Sequence, residues 1–180
     1  GMPQLIADHT REDFSTPHLE PLLFHCPPDT RAQSIRITAT RLSTDDTWRS
    51  DSLKHVFALN EVFVFSGEQN IALNAPATTS SQENIRFMWD PRYLVDGFTY
   101  YPPIKSVFLV NPNLQFRIFQ SQVDVIYDLE TTRTLDEIRI HPFNYAPQFA
   151  NISAMTIGFP RKVSVALSAT PEFTEKAFHL

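Results

Sequence analysis

Short stretches of alternating apolar and polar side chains constrain the fold of this chain most strongly. They read SIRITAT over 34–40, EIRIH over 137–141 and KVSVALS over 162–168. A period of two puts the apolar side chains on one face of a strand, as a half-buried antiparallel strand requires. We therefore predict three strands here, with their isoleucine, valine and leucine side chains facing a core.

Other runs are apolar on both faces, namely 56–59, 62–65, 107–110 and 123–129. Such runs suit central strands, which meet the core on one face and are covered by loops on the other. Asp90 before Pro91 predicts a capped turn over 92–95. The sequence shows no amphipathic pattern long enough for a helix of three turns. The chain is therefore expected to be all-β, an antiparallel β-sandwich or jelly roll of about eight to ten strands.

Composition narrows the classes of function. The 180 residues suit one domain or two small ones, and the net charge is −5 with the basic residues scattered. Nucleic-acid binders need a basic footprint, which is not seen here. No apolar run reaches the roughly 18 residues that a membrane span needs. Cys26 is the only cysteine, so no intrachain disulfide forms, and we expect its thiol to be inert.

Six segments resemble motifs of the discoidin family, also called coagulation factor 5/8 type C or galactose-binding-like domains. They are IRITATRL (35–42), FALNEVFVF (57–65), NIALNAPATTSS (70–81), WDPRYLVDG (89–97), VIYDLETTRTLDEIRIHP (125–142) and GFPRKVSVALSATPEF (158–173). The segments at 35–42 and 57–65 resemble the family's final strands, whereas the segment at 70–81 resembles its opening strand. The resemblance thus implies a galactose-binding-like sandwich with its strands in circularly permuted order.

A permuted order implies how one domain over 1–180 is divided. Residues 1–67 would supply the family's later strands. Residues 68–180 would supply the earlier strands and a long inserted loop region over 98–122. A β-sandwich tolerates this when the original termini lie close enough to be joined, and the segment 61–72 would make that junction. The alternative is a strand-swapped dimer, in which each part pairs with a neighbouring molecule.

The version of the family that this chain resembles most is attached to bacterial α-L-rhamnosidase-like glycoside hydrolases and related polysaccharide-degrading proteins. In those proteins a GFGFP-type strand runs into an ADHT-x-x-DF segment; here GFP lies at 158–160 and ADHTREDF at 7–14. The resemblance implies a glycan or polysaccharide as partner, and a glycoside hydrolase catalytic domain as another. It also implies a periplasmic, cell-surface or extracellular location, although the chain shows no export signal.

The resemblance further implies a structural Ca²⁺ ion, because many family members hold one near the Asp-Gly motif and a glutamate of the last strand. The matching residues are Asp96 and Glu61. Calcium needs six or more oxygen ligands. The family usually continues with acidic or asparagine residues, whereas this chain continues Phe98-Thr99-Tyr100 and so lacks one expected ligand. Alternatively, Asp96 caps a turn and Glu61 pairs with an arginine.

Sugar binding needs an aromatic platform and a few fixed polar partners. The aromatic candidates are Trp48, Tyr100, Tyr101, Phe143 and Tyr145, and the polar candidates are Arg92 and His141. Because the resemblance implies sugar binding, we predict that the tyrosines, with the arginine and the histidine, form the carbohydrate-binding site. For any single aromatic residue the alternative is packing in the core or against a loop.

Catalysis has little support in the sequence. The neighbouring carboxylates of Asp45-Asp46 and Asp136-Glu137 would point to opposite faces of a strand. The six histidines show no metal-binding spacing, and neither a nucleophile elbow nor a phosphate loop occurs. The expected function is a non-catalytic carbohydrate-binding or accessory module of an exported polysaccharide-degrading protein. The alternatives are a structural domain that packs on a glycoside hydrolase, and a hydrolase fragment whose active site lies elsewhere.

Overall fold

The computed structural model describes residues 3–13, 20–44, 55–80, 90–99, 114–118, 122–143, 159–170 and 173. The strands within these residues are β1 (Gln4–His9), β2 (Leu22–His25), β3 (Arg31–Arg41), β4 (Ser43–Thr44), β5 (His55–Ser66), β6 (Gln69–Asn70), β7 (Ala77–Thr79), β8 (Leu114–Ile118), β9 (Val123–Thr134), β10 (Glu137–Pro142) and β11 (Lys162–Ser168). One 3₁₀ turn, Pro91–Leu94, lies between β7 and β8.

The strands form two antiparallel sheets. The order of the first sheet is β1-β11-β3-β9-β7, and that of the second is β2-β10-β5-β4, with β6 and β8 also paired to β5. The predicted all-β antiparallel sandwich is confirmed. Strands from residues 1–67 and 68–180 alternate along β1-β11-β3-β9 and along β2-β10-β5, so most strands take a hydrogen-bonding partner from the other segment.

The core is built from the alternation that the sequence shows. In β3 the side chains of Ile35, Ile37 and Ala39 are buried, and Ile37 lies between Val125 of β9 and Val165 of β11. In the second sheet Ile138 and Ile140 of β10 are paired with Val64 and Val62 of β5, and these four side chains are also buried. The inward side chains of both sheets belong to one apolar cluster.

Three features differ from the sequence-based expectations. The runs 56–59 and 62–65 belong to one strand, β5, and the outward side chains of Phe63 and Phe65 are half-buried rather than fully covered. The expected loop region over 98–122 contains β8, which pairs with residues 55–59 of β5. The segment 70–81 is split, because β6 belongs to the second sheet and β7 to the first. The run 107–110 lies outside the described residues.

Truncation of Ile37 to alanine should destabilise the fold severely. Its side chain is 1% exposed between two neighbouring strands, so the cavity cannot collapse easily, and we expect a loss of about 2–5 kcal/mol. Urea denaturation followed by circular dichroism measures this free energy of unfolding. Leu5→Ala is the control, because Leu5 is 45% exposed on the edge strand β1. Equal effects of the two substitutions would contradict the assigned core.

Candidate cation site and sugar-contact residues

A β-bulge in β5 creates the polar site. The core-facing side chains of β5 are first those of odd-numbered residues, Phe57 and Leu59, and then those of even-numbered residues, Val62 and Val64. The alternation therefore shifts by one residue between positions 59 and 62. On β10, His141 pairs with Glu61 and the next residue, Pro142, pairs with Leu59, which leaves Asn60 opposite no residue. Bulges of this kind re-aim side chains. Here the change of parity occurs at the polar pair Asn60–Glu61.

Both side chains of this polar pair are buried. Asn60 is 5% exposed and Glu61 is fully buried. A buried amide needs hydrogen-bonding partners, and a buried carboxylate needs a proton or a counter-charge, because water no longer solvates it. The Asn60 amide nitrogen donates to the carbonyl oxygen of Thr99 at 2.6 Å, which satisfies part of this requirement.

The loop that covers Glu61 consists of residues 95–99 and is held at three points. The Gly97 backbone N–H donates to Glu61 Oε1 at 3.2 Å, and the Asn74 backbone N–H donates to the Val95 carbonyl at 2.6 Å. The third point is the Asn60 contact to Thr99. Gly97 has a φ of +86°, and a Cβ atom there would lie 3.0 Å from the Leu73 side chain. The positive φ would strain any residue with a side chain, so glycine is strongly favoured at the residue that contacts Glu61.

Asp96, in the same loop, lies beside Glu61. Its Oδ1 accepts a hydrogen bond from the Phe98 backbone N–H at 3.0 Å, so Asp96 does cap a turn. Burial raises the pKa of the Glu61 carboxyl to about 9; the Gly97 hydrogen bond opposes this shift, and Asp96 adds to it. The two residues that the sequence named as cation ligands are thus neighbours in the fold.

Glu61 shares a side-chain hydrogen bond with Asp96, yet one of its oxygens is buried and accepts no hydrogen bond from the described residues. This is Oε2, and the Tyr127 hydroxyl, which is also buried, has no partner among them either. Burial is the main cause that raises the Tyr127 pKa, and the nearby Glu61 carboxyl is a second, smaller cause. Within the described part of the chain Glu61 forms no ion pair with an arginine, in contrast to the alternative considered from sequence.

These residues fit a hard cation in part. The orphaned Oε2 of Glu61 and the Asp96 carboxylate are oxygen donors of the kind that Ca²⁺ prefers. The described residues contain no group of three or more His, Cys, Asp or Glu side chains that could hold a metal ion. Further ligands would therefore be backbone carbonyls or water, which calcium sites commonly include.

Arg92 lies in the 3₁₀ turn, which corresponds to the turn expected over 92–95. Asp90 caps it, because its Oδ1 accepts from the Arg92 backbone N–H at 2.9 Å. The exposed Arg92 guanidinium lies 3.7 Å from Asp90 Oδ2 and 5.0 Å from the centroid of the Tyr93 ring. Its described contacts are therefore local to the turn.

His141 lies on β10, on the outer face of the second sheet. Its half-buried ring meets Phe63 edge-on, with the centroids 5.1 Å apart. Burial and, to a smaller extent, Arg139 lower the His141 pKa. Phe143 is 2% exposed, so its ring is packed inside and is not an accessible platform. The remaining aromatic candidates, Trp48, Tyr100, Tyr101 and Tyr145, lie outside the described residues.

The remaining sequence candidates have structural contacts where they are described. Asp136 accepts from the Gly67 backbone N–H through Oδ2, whereas Glu137 contacts Arg139 and His25. The Cys26 thiol has a pKa raised to about 11 by burial and by the nearby carboxylates of Asp136 and Glu137. A thiol with so high a pKa is a poor nucleophile, as expected from the sequence.

Comparisons with known proteins return nothing for this chain: no family model, no curated protein and no solved structure matches it. Among the helices that the structure describes, none is long and apolar enough to cross a membrane. The resemblance to discoidin domains consequently rests on the sequence motifs quoted above.

Sequence reasoning missed Asn60 and Tyr127 as parts of this site. One signal was present, because Asn60–Glu61 is a polar pair inside the otherwise apolar strand FALNEVFVF. A polar pair in a central strand suggests either a bulge or a bound partner. Nothing in the local sequence indicates that Tyr127 lies near Glu61, because Tyr127 is on β9, which belongs to the other sheet.

The Glu61 carboxyl should make the protein less stable as the pH rises, in the presence of a chelator. Its pKa is about 9 in the folded chain and about 4.5 when unfolded. Between pH 4.5 and 9 the folded state binds one more proton at this carboxyl than the unfolded state does. The stabilisation that this proton gives is therefore complete below about pH 4.5 and is lost as the pH rises through 9. The expected slope is at most about −1.4 kcal/mol per pH unit. Urea denaturation from pH 5 to 9 measures it.

Glu61→Gln should flatten this pH dependence, because the amide resembles the protonated acid and does not titrate. Glu68→Gln is the matched control, since Glu68 is exposed in the turn after β5. An unchanged slope in Glu61→Gln would show that Glu61 does not carry the effect.

Proposed function

We propose that the chain is a non-catalytic carbohydrate-binding module, related to discoidin domains, of an exported polysaccharide-degrading protein. The observation that carries this proposal is the meeting of Glu61 and Asp96. The resemblance named these two residues, 35 positions apart in sequence, and in the fold Asp96 lies in the loop that covers Glu61. A two-sheet antiparallel sandwich is also the architecture that the resemblance implies.

The permuted strand order is part of this proposal. The turn between β5 and β6, with Gly67 at φ +57°, lies within the segment 61–72 that would join the original termini. Strands before and after this hairpin alternate in both sheets. This alternation supports the idea that residues 1–67 and 68–180 complete one another as parts of one sandwich.

Calcium would be held by Glu61 and Asp96 together with backbone carbonyls. The ion would supply the positive charge that the buried Glu61 carboxylate lacks. Loop 95–99 would be tied more firmly to β5 as a result, and Tyr100 and Tyr101 follow this loop directly in sequence. A structural ion would thereby limit the motion of the chain that leads into the sugar-contact tyrosines, which reduces the entropy cost of binding.

A structural domain that packs on a glycoside hydrolase is the second candidate. It is favoured by exposed apolar side chains, because Leu5, Leu23, Leu73 and Phe98 are 45–56% exposed. Leu73 and Phe98 flank Gly97, so part of this apolar surface lies beside the candidate cation site. Exposed apolar groups of this kind are typical of contact surfaces when they are contiguous.

Calcium should stabilise the protein through this site. A ligand that binds only the folded state adds about 2.7 kcal/mol at roughly 100 times its Kd, so the Tm should rise. Differential scanning fluorimetry with calcium and with chelator measures the shift. Asp96→Asn preserves the acceptor for the Phe98 N–H but removes the charge, and it should abolish most of the shift. Glu68→Gln should retain it. A full shift in Asp96→Asn would contradict the site.

The purified chain should bind a class of glycans saturably on a glycan array. Tyr100→Ala or Tyr101→Ala should weaken binding by about tenfold or more, equivalent to about 1.4 kcal/mol. Tyr100→Phe and Tyr101→Phe are matched controls, because they retain the ring that would stack on the sugar. No binding by a folded protein, with calcium or with chelator, would favour the structural domain instead.

A further inference from the structure

We propose that the outer face of the second sheet is an additional contact surface for a neutral glycan chain. This inference rests on the proposed carbohydrate-binding function, but it uses strands rather than the tyrosine-bearing segments. The surface, called the Arg139 face below, consists of Leu23, His25, Phe63, Phe65, Glu137 and Arg139.

Strand alternation places these side chains on one face. In β10 the side chains of Ile138 and Ile140 are buried in the core, so those of Glu137, Arg139 and His141 lie on the opposite side. Across the neighbouring strands, Glu137 pairs with both His25 and Phe65, and Arg139 pairs with both Phe63 and the exposed Leu23.

Arg139 is held in place from two directions. Its Nε donates to Glu137 Oε1, and its guanidinium carbon lies 4.5 Å from the centroid of the Phe65 ring. The side chain is nevertheless 43% exposed. A guanidinium carries five N–H donors in a rigid plane, so one fixed through Nε can offer others to hydroxyl groups.

Glu137 holds a second polar group on the same face. Its Oε2 lies 3.2 Å from His25 Nδ1, and the His25 side chain is 77% exposed while that of Glu137 is only 16% exposed. The carboxylate therefore contacts an arginine on its own strand and a histidine on the next strand. Side chains ordered in the folded protein lose less conformational entropy when a ligand binds.

Aromatic rings border these polar groups. The Phe63 and Phe65 centroids are 5.9 Å apart, the rings are tilted by 37°, and both side chains are half-buried. His141 packs edge-on against Phe63. A pyranose presents an apolar C–H face and a rim of hydroxyls, which matches a surface of partly exposed rings beside fixed donors and acceptors.

Charge selects the kind of glycan. The chain carries a net charge of −5, yet on this face the Arg139 cation is paired with the Glu137 anion. The opposite charges of this pair cancel locally, so a neutral glycan can bind without electrostatic cost. An acidic polysaccharide would bind better to a surface with excess positive charge. A protein partner would favour a wide, continuous apolar patch, whereas the charged and polar side chains of this face alternate with its apolar ones.

Affinity gel electrophoresis tests the proposal, with xylan, galactomannan and mixed-linkage β-glucan as neutral probes and polygalacturonate as the acidic probe. At least one neutral polymer should retard the wild-type chain. Arg139→Gln and Phe63→Leu, which keeps an apolar side chain, should each raise the apparent Kd about tenfold. Arg161→Gln is the control of equal charge change, because Arg161 is exposed beside β11 of the other sheet. Thermal melts confirm that each variant is folded.

Arg139→Gln and Phe63→Leu in a Tyr100→Ala/Tyr101→Ala background separate the proposed Arg139 face from the proposed tyrosine site. Residual retardation in that background, abolished by Arg139→Gln, supports the Arg139 face. Binding that is fully lost on the tyrosine substitutions and unaffected by Arg139→Gln overturns this inference and leaves the proposed function intact. No retardation of the wild type by any polymer overturns both. Retardation by polygalacturonate alone, or a concentration-dependent dimer that Arg139→Gln dissociates, also overturns the Arg139 face.

Discussion

The buried carboxyl of Glu61 is the constraint on which the geometry of the candidate site depends. It lies where the inward parity of β5 changes, it receives the Gly97 N–H, and it lies beside Asp96. An apolar residue at this position would remove the acceptor that positions loop 95–99. Because the carboxylate is buried without a full set of partners among the described residues, it requires either a proton or a cation.

The sheets impose a second constraint, because strands from the two parts of the chain alternate. β3 pairs with β9 and β11, and β10 pairs with β2 and β5. These pairings join residues such as Ile35 and Tyr127 that are far apart in sequence. Chains dominated by such non-local pairs fold slowly, because loop closure costs entropy before the contacts form.

Period-two alternation predicted β3, β10 and β11 because each has one buried face and few polar exceptions. It did not predict that β5 is continuous, because the polar pair Asn60–Glu61 interrupts two apolar runs and the bulge is visible only from the pairing with β10. It also missed β8, whose pairing is supplied by residues 55–59 of β5. The association of Glu61 with Asp96 followed from motif resemblance, since periodicity carries no information about contacts between a strand and a distant loop.

The two proposed binding surfaces would owe their rigidity to different interactions. Loop 95–99 is held by three hydrogen bonds to β5 and residue 74, and a cation would tighten it. The Arg139 face is carried by three hydrogen-bonded strands whose opposite sides are buried in the core. Removal of the proposed calcium ion should therefore weaken the proposed contacts of the tyrosines after loop 95–99 and leave those of Arg139 and Phe65 unchanged. A chelator thus separates the two surfaces by the physical origin of their order, without any substitution.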